Sequence, residues 1–480
     1  CAVGVAAFVM NGAPDDRTVP AFAPAAPVSA PRAAERPGLA EGALGERTLG
    51  KLSEVYKLLE ERYLGEIDPG ALEEGALEGM IRALGDPYSE YLNAEEMESF
   101  TDHIHSSFTG IGAEVALQDG LVVIVSPIRN SPAERAGLRA GDQILAVNGE
   151  SLQGLALSEA VEKIRGPKGT QAKLTIRRQG SQQVMDIIVV RDDISLETVE
   201  SAMLEDGIGL ISISQFAVQT GDRFLEELAA LEAQGMKGLI IDLRNNPGGV
   251  VQAVQAIAEA LVPEGGTIMH LEYRDGRREK TVSASGGKPY PIVALINEGS
   301  ASASEILAAA IRESAGGRLV GQRTYGKGLV QSTIRLSDGS GVKLTIAKWL
   351  TPRGETIHES GIAPDVHVPR PKLFDAVSIP KDRVWMFDMT GDEVKNIQLI
   401  LEGLGYPPGR NDGYFSRETA AAVEAFQREH GLPVTGRVDE ATAMKLEEMV
   451  IRRYLDRGSD VQLKEAVNQI QKMLADKAGK

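Results

Sequence analysis

The chain has 480 residues, 42% of them hydrophobic, and a formal net charge of −17. This length predicts about three domains, and the hydrophobic content is sufficient for packed cores. The acidic balance, without a basic stripe, argues against nucleic acid as a partner. The single cysteine, Cys1, excludes an intrachain disulfide framework and a cysteine-based zinc site.

The first 46 residues have the composition of an anchor followed by a tether. Residues 1–10 are apolar and similar to the end of a signal or membrane-anchor segment, although they are too short to span a bilayer. A lipoprotein that begins at Cys1 is the alternative. Residues 11–46 are rich in proline, alanine and charge, as disordered linkers are. We therefore expect an extracytoplasmic protein of the bacterial cell envelope, either membrane-anchored or secreted.

Residues 47–106 have the apolar spacing of helices. One helical face comprises Leu52, Val55, Tyr56, Leu59 and Tyr63. A second face comprises Leu72, Leu77, Met80, Ile81 and Leu84. One interpretation of this region is a helical brace against the rest of the chain.

Residues 107–192 predict a compact β-rich unit with one helix, Ser158–Ile164. The opening string FTGIGAEV contains a glycine-flanked turn that leads into a strand. Such a turn can hold a terminal carboxylate on its free N–H groups, and the strand edge beside it can accept a peptide. The later string SPAERAGLRAGDQILAVNG resembles the central segment of PDZ domains. The residues that this resemblance puts around a bound peptide C-terminus are Gly110, Ile111, Gly112, Ala113, Val161 and Ile164.

Residues 193–372 alternate strand and helix patterns, which predicts an α/β core. A buried strand at 238–243 runs into the turn RNNPGG, and a helix begins near Val250. A strand, a glycine-rich turn and a helix in this order supply backbone N–H groups that can stabilise an oxyanion. A tight structural turn at Gly248 and Gly249 is the alternative.

The strongest chemical pattern lies between residues 297 and 331. Ser302 follows a buried strand and precedes a helical pattern, so it lies near a helix N-terminus, where free N–H groups favour negative charge. Lys327 follows in a loop between Gly326 and Gly328. A serine and a lysine can perform nucleophilic catalysis without histidine if the lysine is neutral, and burial lowers a lysine pKa. The alternative is that Ser302 and its neighbouring serines cap the helix and that Lys327 is solvated.

The strings SASASE and GKGLVQ at this spacing resemble the carboxyl-terminal processing, or tail-specific, proteases. These are serine endopeptidases with a Ser/Lys dyad. The resemblance implies that Ser302 is the nucleophile, Lys327 the general base and Gln331 an assisting residue. It also implies that the oxyanion donors are Ala303 and Gly249, or its neighbour Gly248.

The same resemblance implies a fold, an assembly and a substrate class. The fold is a multidomain α+β chain with a core similar to crotonase and Clp-type proteases, an inserted PDZ domain, N-terminal helices and C-terminal helices. The N-terminal helices often dimerise in relatives, so a homodimer is an expectation. The substrates are protein C-termini captured by the PDZ domain. Arg165 is a candidate for coupling that capture to activation, and its alternative is a solvated helix-end charge.

The C-terminal part, residues 388–450, resembles the peptidoglycan-binding type 1 module, a small three-helix domain. The strings that carry this resemblance describe the core of the module. Peptidoglycan binding is therefore one interpretation, and a docking or spacer role is the other. Residues 451–480 predict a charged amphipathic helical tail, to which no role can be given.

Other catalytic classes lack their motifs. None of the six histidines has metal-ligand spacing, and the chain has no GxSxG elbow and no phosphate-binding glycine loop. We therefore expect no metal and no cofactor. Two hypotheses remain, a serine endopeptidase and a non-catalytic cell-wall scaffold with a PDZ domain. The combination of Ser302, Lys327, Gln331 and the Gly-Gly turn favours the endopeptidase.

Overall fold

The computed structural model describes residues 45–105, 107–118, 120–128, 131–178 and 184–478. The predicted anchor at 1–10 and nearly all of the predicted linker at 11–46 lie outside the described residues. No helix within the described ranges has the length and apolarity that a membrane crossing requires.

Three helices and one short strand form the N-terminal region. They are α1 (Glu46–Arg62), α2 (Pro69–Arg82), β1 (Glu90–Leu92) and α3 (Ala94–His105). Asp68 caps α2 by accepting hydrogen bonds from the N–H groups of Gly70 and Ala71. β1, which the sequence analysis did not predict, pairs with the core strand Gly341–Leu350 and so joins this region to the core.

A small β-rich unit follows. It comprises β2 (Ser107–Gly110), β3 (Ala113–Gln118), β4 (Leu121–Pro127), α4 (Pro132–Arg135), β5 (Gln143–Val147), β6 (Glu150–Ser151), α5 (Leu157–Ile164), β7 (Gln171–Arg177), β8 (Val184–Val190) and β9 (Asp192–Ser195). Its main sheet has the order β3-β4-β5-β7-β8, and β2 pairs with β9 at the base of the unit. Within the described residues β3 pairs with β4 alone, so its other edge is open to an added strand.

The central α/β region contains two sheets. Its elements are β10 (Val199–Met203), β11 (Ile208–Ile213), α6 (Thr220–Ala233), β12 (Gly238–Asp242), α7 (Val251–Leu261), β13 (Thr267–Tyr273), β14 (Arg278–Val282), β15 (Ile292–Ile296), α8 (Ala303–Glu313), β16 (Arg318–Gly321), β17 (Leu329–Arg335), β18 (Gly341–Leu350) and β19 (Val366–His367). The larger sheet has the order β10-β11-β12-β15-β16-β19 and is parallel from β11 onward. The smaller sheet contains β1, β18, β13 and β14, with β17 paired to β18.

Three neighbouring parallel strands bring the predicted catalytic segments together. β12 leads into the RNNPGG turn, β15 leads into the turn before Ser302, and β16 leads into the loop that carries Lys327. Because the carboxyl ends of parallel strands lie at one edge of a sheet, all three segments meet there.

Helices cover both faces of the large sheet. α6, α7 and α8 bury one face in a cluster with the apolar side chains of β11, β12 and β15. The other face is covered by α12 (Val461–Ala478), whose Leu463, Ala466 and Ile470 pack on Ile208 and Ile240. The tail that had no predicted role is therefore the second helical layer of the core.

The remaining C-terminal helices form a separate core. They are α9 (Asp392–Leu404), α10 (Arg417–Glu429) and α11 (Glu440–Leu455). The apolar side chains buried in this core include Val394, Ile397, Leu401, Val423 and Phe426. α11 continues past residue 450 and is followed by α12.

Candidate active site

Ser302 lies between β15 and α8 in a strained conformation with φ 54° and ψ −111°. Such a conformation is uncommon for a residue with a side chain and is found at functional sites. The flanking serine hydroxyls are engaged, because Ser300 Oγ donates to Leu243 O at 2.7 Å and Ser304 Oγ donates to Asn246 O at 2.9 Å. The Ser302 hydroxyl forms no capping hydrogen bond. Of these three serine hydroxyls, the Ser302 hydroxyl is therefore the candidate nucleophile.

Asn246 ties the glycine turn to the serine turn. Its carbonyl accepts a hydrogen bond from the Ala301 N–H at 3.0 Å as well as the Ser304 hydroxyl. Its side-chain amide donates to Ile213 O at 2.8 Å, and its Oδ1 accepts the Gly248 N–H at 2.9 Å. Asn246 is not among the site residues that the sequence patterns predict.

The two glycines have different surroundings. A Cβ on Gly248 would lie 2.8 Å from Ser302 Cβ and 3.0 Å from the Ala303 N atom, so only glycine permits this close approach. The Gly248 N–H donates to Asn246 Oδ1 in this conformation. Gly249 has a φ of 139°. Phe216 forms backbone hydrogen bonds to both neighbours of Gly249, because the Phe216 N–H donates to Gly248 O and the Val250 N–H donates to Phe216 O. Within the described part of the chain, the N–H groups of Gly249 and Ala303 have no acceptor.

One buried carboxylate holds the backbones of both predicted dyad residues. Glu305 Oε2 accepts the Ser302 N–H at 2.8 Å and the Lys327 N–H at 2.9 Å. Its Oε1 accepts the Gly326 N–H at 2.7 Å and the Thr324 hydroxyl at 2.6 Å. Glu305 is fully buried, so these four hydrogen bonds replace the water that would otherwise surround its carboxylate. Glu305 thereby holds the backbones of Ser302 and Lys327 on one carboxylate oxygen, a role that the sequence patterns did not predict.

The side chain of Lys327 lies beside the N-terminal segment around β1. Its Nζ is 5.0 Å from the centre of the Tyr88 ring. Burial lowers the pKa of Lys327, and the positive charge of Lys343 lowers it further. Asp86 and Glu90 act in the opposite direction and raise this pKa. The lysine pKa is thus set by the core together with the segment that precedes the PDZ-like unit.

The three predicted catalytic side chains are not hydrogen-bonded to one another. Among the described residues, no hydrogen bond joins the Ser302 hydroxyl to the Lys327 amine or Gln331 to Lys327. The Gln331 amide instead donates to Thr345 Oγ1 at 3.2 Å. Thr345 in turn donates its N–H to Ser89 Oγ at 3.0 Å, so Gln331 is connected to the same N-terminal segment.

The predicted carboxylate loop lies between β2 and β3. Gly110, Ile111 and Gly112 are buried and Ala113 opens β3. Ser131 Oγ donates to Gly112 O at 2.8 Å, and Gly112 has a φ of 75°. The carbonyl groups of Ile111 and Gly112 hold this loop in place, because they accept the N–H groups of Ala133 and Ile128.

The two predicted groove residues on α5 are buried. Val161 is 7% exposed, and Ile164 belongs to the hydrophobic core of the unit.

Arg165 ends α5 and interacts electrostatically with Asp102 of α3. Burial raises the pKa of Asp102 to about 7, Glu98 and Asp193 act in the same direction, and Arg165 opposes them. Arg165 is half-buried at a junction between two regions, which differs from a fully solvated helix-end charge.

Metal ligation has no support in the described ranges, where no group of three or more His, Cys, Asp or Glu side chains could hold an ion.

Comparison with known proteins identifies the family. Family models match peptidase family S41 at residues 207–368, a PDZ domain at 123–178, a peptidoglycan binding domain at 390–446 and the N-terminal domain of the activating protease CtpB at 29–96. The carboxy-terminal processing protease CtpB of Bacillus subtilis (strain 168) is 39% identical over 429 residues, which cover 88% of this chain and 89% of that protein. The carboxy-terminal processing protease CtpA of the same organism is 39% identical over 436 residues, which cover 91% and 93%. A solved photosystem II D1 C-terminal processing protease is 30% identical, covers 68% of this chain and 87% of that chain, and has a TM-score of 0.41.

The fold and the relatives together define a multidomain serine-type peptidase with a PDZ domain and a peptidoglycan-binding-type module. The chain belongs to the carboxy-terminal processing proteases of peptidase family S41. The predicted family and the predicted α+β multidomain fold are therefore confirmed.

Proposed function

We propose that this chain cleaves proteins near their C-termini by a Ser302/Lys327 dyad and an acyl-enzyme. The neutral Lys327 amine takes the proton of the Ser302 hydroxyl as Ser302 Oγ attacks the peptide carbonyl carbon. The N–H groups of Ala303 and Gly249 donate to the oxyanion of the tetrahedral intermediate. The Lys327 ammonium then returns its proton to the leaving amine. Lys327 next takes a proton from the water that attacks the ester carbonyl carbon, and it gives this proton to Ser302 Oγ as the ester bond breaks.

The observation that carries this proposal is the shared carboxylate of Glu305. It accepts the N–H groups of Ser302 and Lys327 on one oxygen, so the backbones of nucleophile and base form one unit. The lowered pKa of Lys327 supports the same assignment, because a larger fraction of the amine is neutral at physiological pH. In the present conformation no hydrogen bond joins the Ser302 hydroxyl to the Lys327 amine, so the proposed proton transfer requires a rearrangement that brings these two groups together.

The test is cleavage of a peptide with an apolar C-terminus. Ser302→Ala and Lys327→Ala should each reduce cleavage to background while the proteins still bind the peptide. Lys348→Ala, an exposed lysine on β18, is the matched control and should cleave at the wild-type rate. Cleavage by Lys327→Ala at neutral pH would remove Lys327 from the mechanism. Binding without cleavage by the wild type would instead support the scaffold hypothesis.

Capture of free C-termini by the PDZ domain is the second part of the proposal. The open edge of β3 and the glycine turn before it support this role, because they offer a strand partner and free N–H groups. A peptide with a free carboxylate should therefore bind more tightly than the same peptide with a C-terminal amide. Equal affinity for the two peptides would exclude carboxylate recognition. Gly112→Glu should weaken binding of the free acid, because the loop at this residue has a positive φ and no space for a side chain.

We also propose a homodimer formed through the N-terminal helices. The support is an apolar face on α1 whose Leu49, Leu52, Val55 and Leu58 are 45–55% exposed. Light scattering should find a dimer for the wild type and a monomer for a Leu52→Lys, Val55→Lys double variant. A monomeric wild type would contradict the proposal.

A location at the cell envelope and binding to peptidoglycan complete the proposal. The support is the match of residues 390–446 to a peptidoglycan binding domain, together with the apolar composition of residues 1–10. Sedimentation with purified cell-wall sacculi tests the binding. The full chain should sediment with the sacculi, and a chain that lacks residues 388–450 but keeps the core helix α12 should stay in solution.

A further inference from the structure

The side chain of Arg244 connects the oxyanion turn to the last helix of the chain. Arg244 lies between β12 and Asn246, in the turn that continues to Gly249. Its Nε and Nη2 donate to Asp242 at 2.9 and 2.6 Å. Its Nη1 and Nη2 donate to Asp460 at 3.0 and 2.7 Å.

All the donors of this guanidinium are used. The remaining Nη1 hydrogen goes to Gln462 Oε1 at 3.0 Å, which completes five hydrogen bonds. Arg244 and Asp460 are 19% and 23% exposed at their side chains, so water screens the pair only partly. Planar bidentate pairs of this kind fix orientation as well as supplying energy. The pair therefore restrains the direction in which the turn leaves β12.

Asp460 is itself fixed. Its Oδ1 accepts the N–H groups of Gln462 and Leu463 at 3.1 and 2.9 Å, which caps the start of α12. Leu463 is buried against the large sheet. The position of the Asp460 carboxylate thus depends on the docking of α12, and Arg244 transmits that position to the oxyanion turn.

We propose that Asp460 is a positioning residue of the peptidase site, acting through Arg244 on the turn that carries Asn246, Gly248 and Gly249. This inference rests on the proposed function, because it assigns Gly249 an oxyanion contact. An oxyanion donor acts mainly on the transition state, and a displacement of about 1 Å can lower a rate about 100-fold. The loss of this positioning should appear in kcat and leave KM nearly unchanged.

The test compares Asp460→Asn with Gln469→Ala in the full chain. Asparagine still caps α12 but loses the charge that pairs with Arg244. Gln469 is on the same helix and accepts from Arg318 at 2.8 Å, at the opposite edge of the sheet from the oxyanion turn. Asp460→Asn should lower kcat about tenfold or more, with KM within about twofold, and should weaken a peptide boronate inhibitor by the same factor as kcat/KM. Gln469→Ala should keep the wild-type kcat.

A double-mutant cycle separates positioning from general destabilisation. In an Arg244→Gln background, Asp460→Asn should have no further effect on kcat. Additive losses, an unchanged kcat in Asp460→Asn, or equal losses in Asp460→Asn and Gln469→Ala would each overturn the inference. Cleavage by the Ser302→Ala protein at the wild-type rate would overturn the proposed function instead. A failure of the proposed function can therefore be told apart from a failure of the Asp460 inference.

Discussion

At the scale of single residues, the site depends on a few buried polar side chains whose chemistry is not catalytic. Glu305 and Asn246 hold the segments that carry Ser302, Lys327 and Gly249. The sequence patterns could single out Ser302 and Lys327 as candidates because a serine at a helix start and a lysine between glycines are local features. The roles of Glu305 and Asn246 could not be predicted, since they depend on contacts across separate segments of the core.

The first prediction concerns Glu305→Gln. Glutamine has the same shape but only one acceptor oxygen, so two of the four donors around Glu305 would face an amide NH₂ group. Each unsatisfied donor costs about 1–3 kcal/mol. We expect a kcat loss of about 100-fold together with a lower free energy of unfolding, measured by peptide kinetics and urea denaturation. A variant with wild-type kinetics would contradict this role of Glu305.

The second prediction concerns the pH dependence of cleavage. The reaction requires neutral Lys327, so the rate should rise with pH through the pKa of this lysine. Lys343→Gln removes a charge that lowers this pKa and should shift the pH–rate profile toward alkaline pH. Asp86→Asn removes a charge that raises this pKa and should shift the profile toward acid pH. Shifts of the same sign in both variants, or no shift in either, would contradict the assignment of Lys327 as the base.

At the scale of elements, α12 is the helix whose position differs most from what the sequence patterns indicate. Its amphipathic pattern predicted a helix, but the pattern gives no information on the surface that the helix covers. That surface includes β11, β12, β15 and β16, which lie far earlier in the chain. β1 was missed for a related reason, because three residues carry no periodic signal and their pairing partner is β18.

The third prediction tests this packing. Ile470 is fully buried between α12 and the large sheet, where Gly238 leaves space for its side chain. Ile470→Ala should lower the free energy of unfolding by about 2–5 kcal/mol in chemical denaturation. Met444→Ala, at a position 44% exposed on α11, is the control and should change the stability little. Equal effects in the two variants would mean that α12 is not part of the core.

At the scale of the whole molecule, the peptidase core is held by contacts from both ends of the described chain. The segment around β1 contacts Lys327, and the start of α12 contacts the oxyanion turn. The family and the domain types could be predicted, since their motifs are contiguous. The convergence of distant segments on one edge of the sheet could not, since it follows from the register of the strands.

The most direct measurement is the mass of the covalent adduct formed with a peptidyl fluorophosphonate. We expect one adduct per chain, located on Ser302 by peptide mapping and formed faster as the pH rises. Lys327→Ala should form it at least about 100-fold more slowly. An adduct on another residue, or equal rates in the wild type and Lys327→Ala at every pH, would contradict the Ser302/Lys327 mechanism.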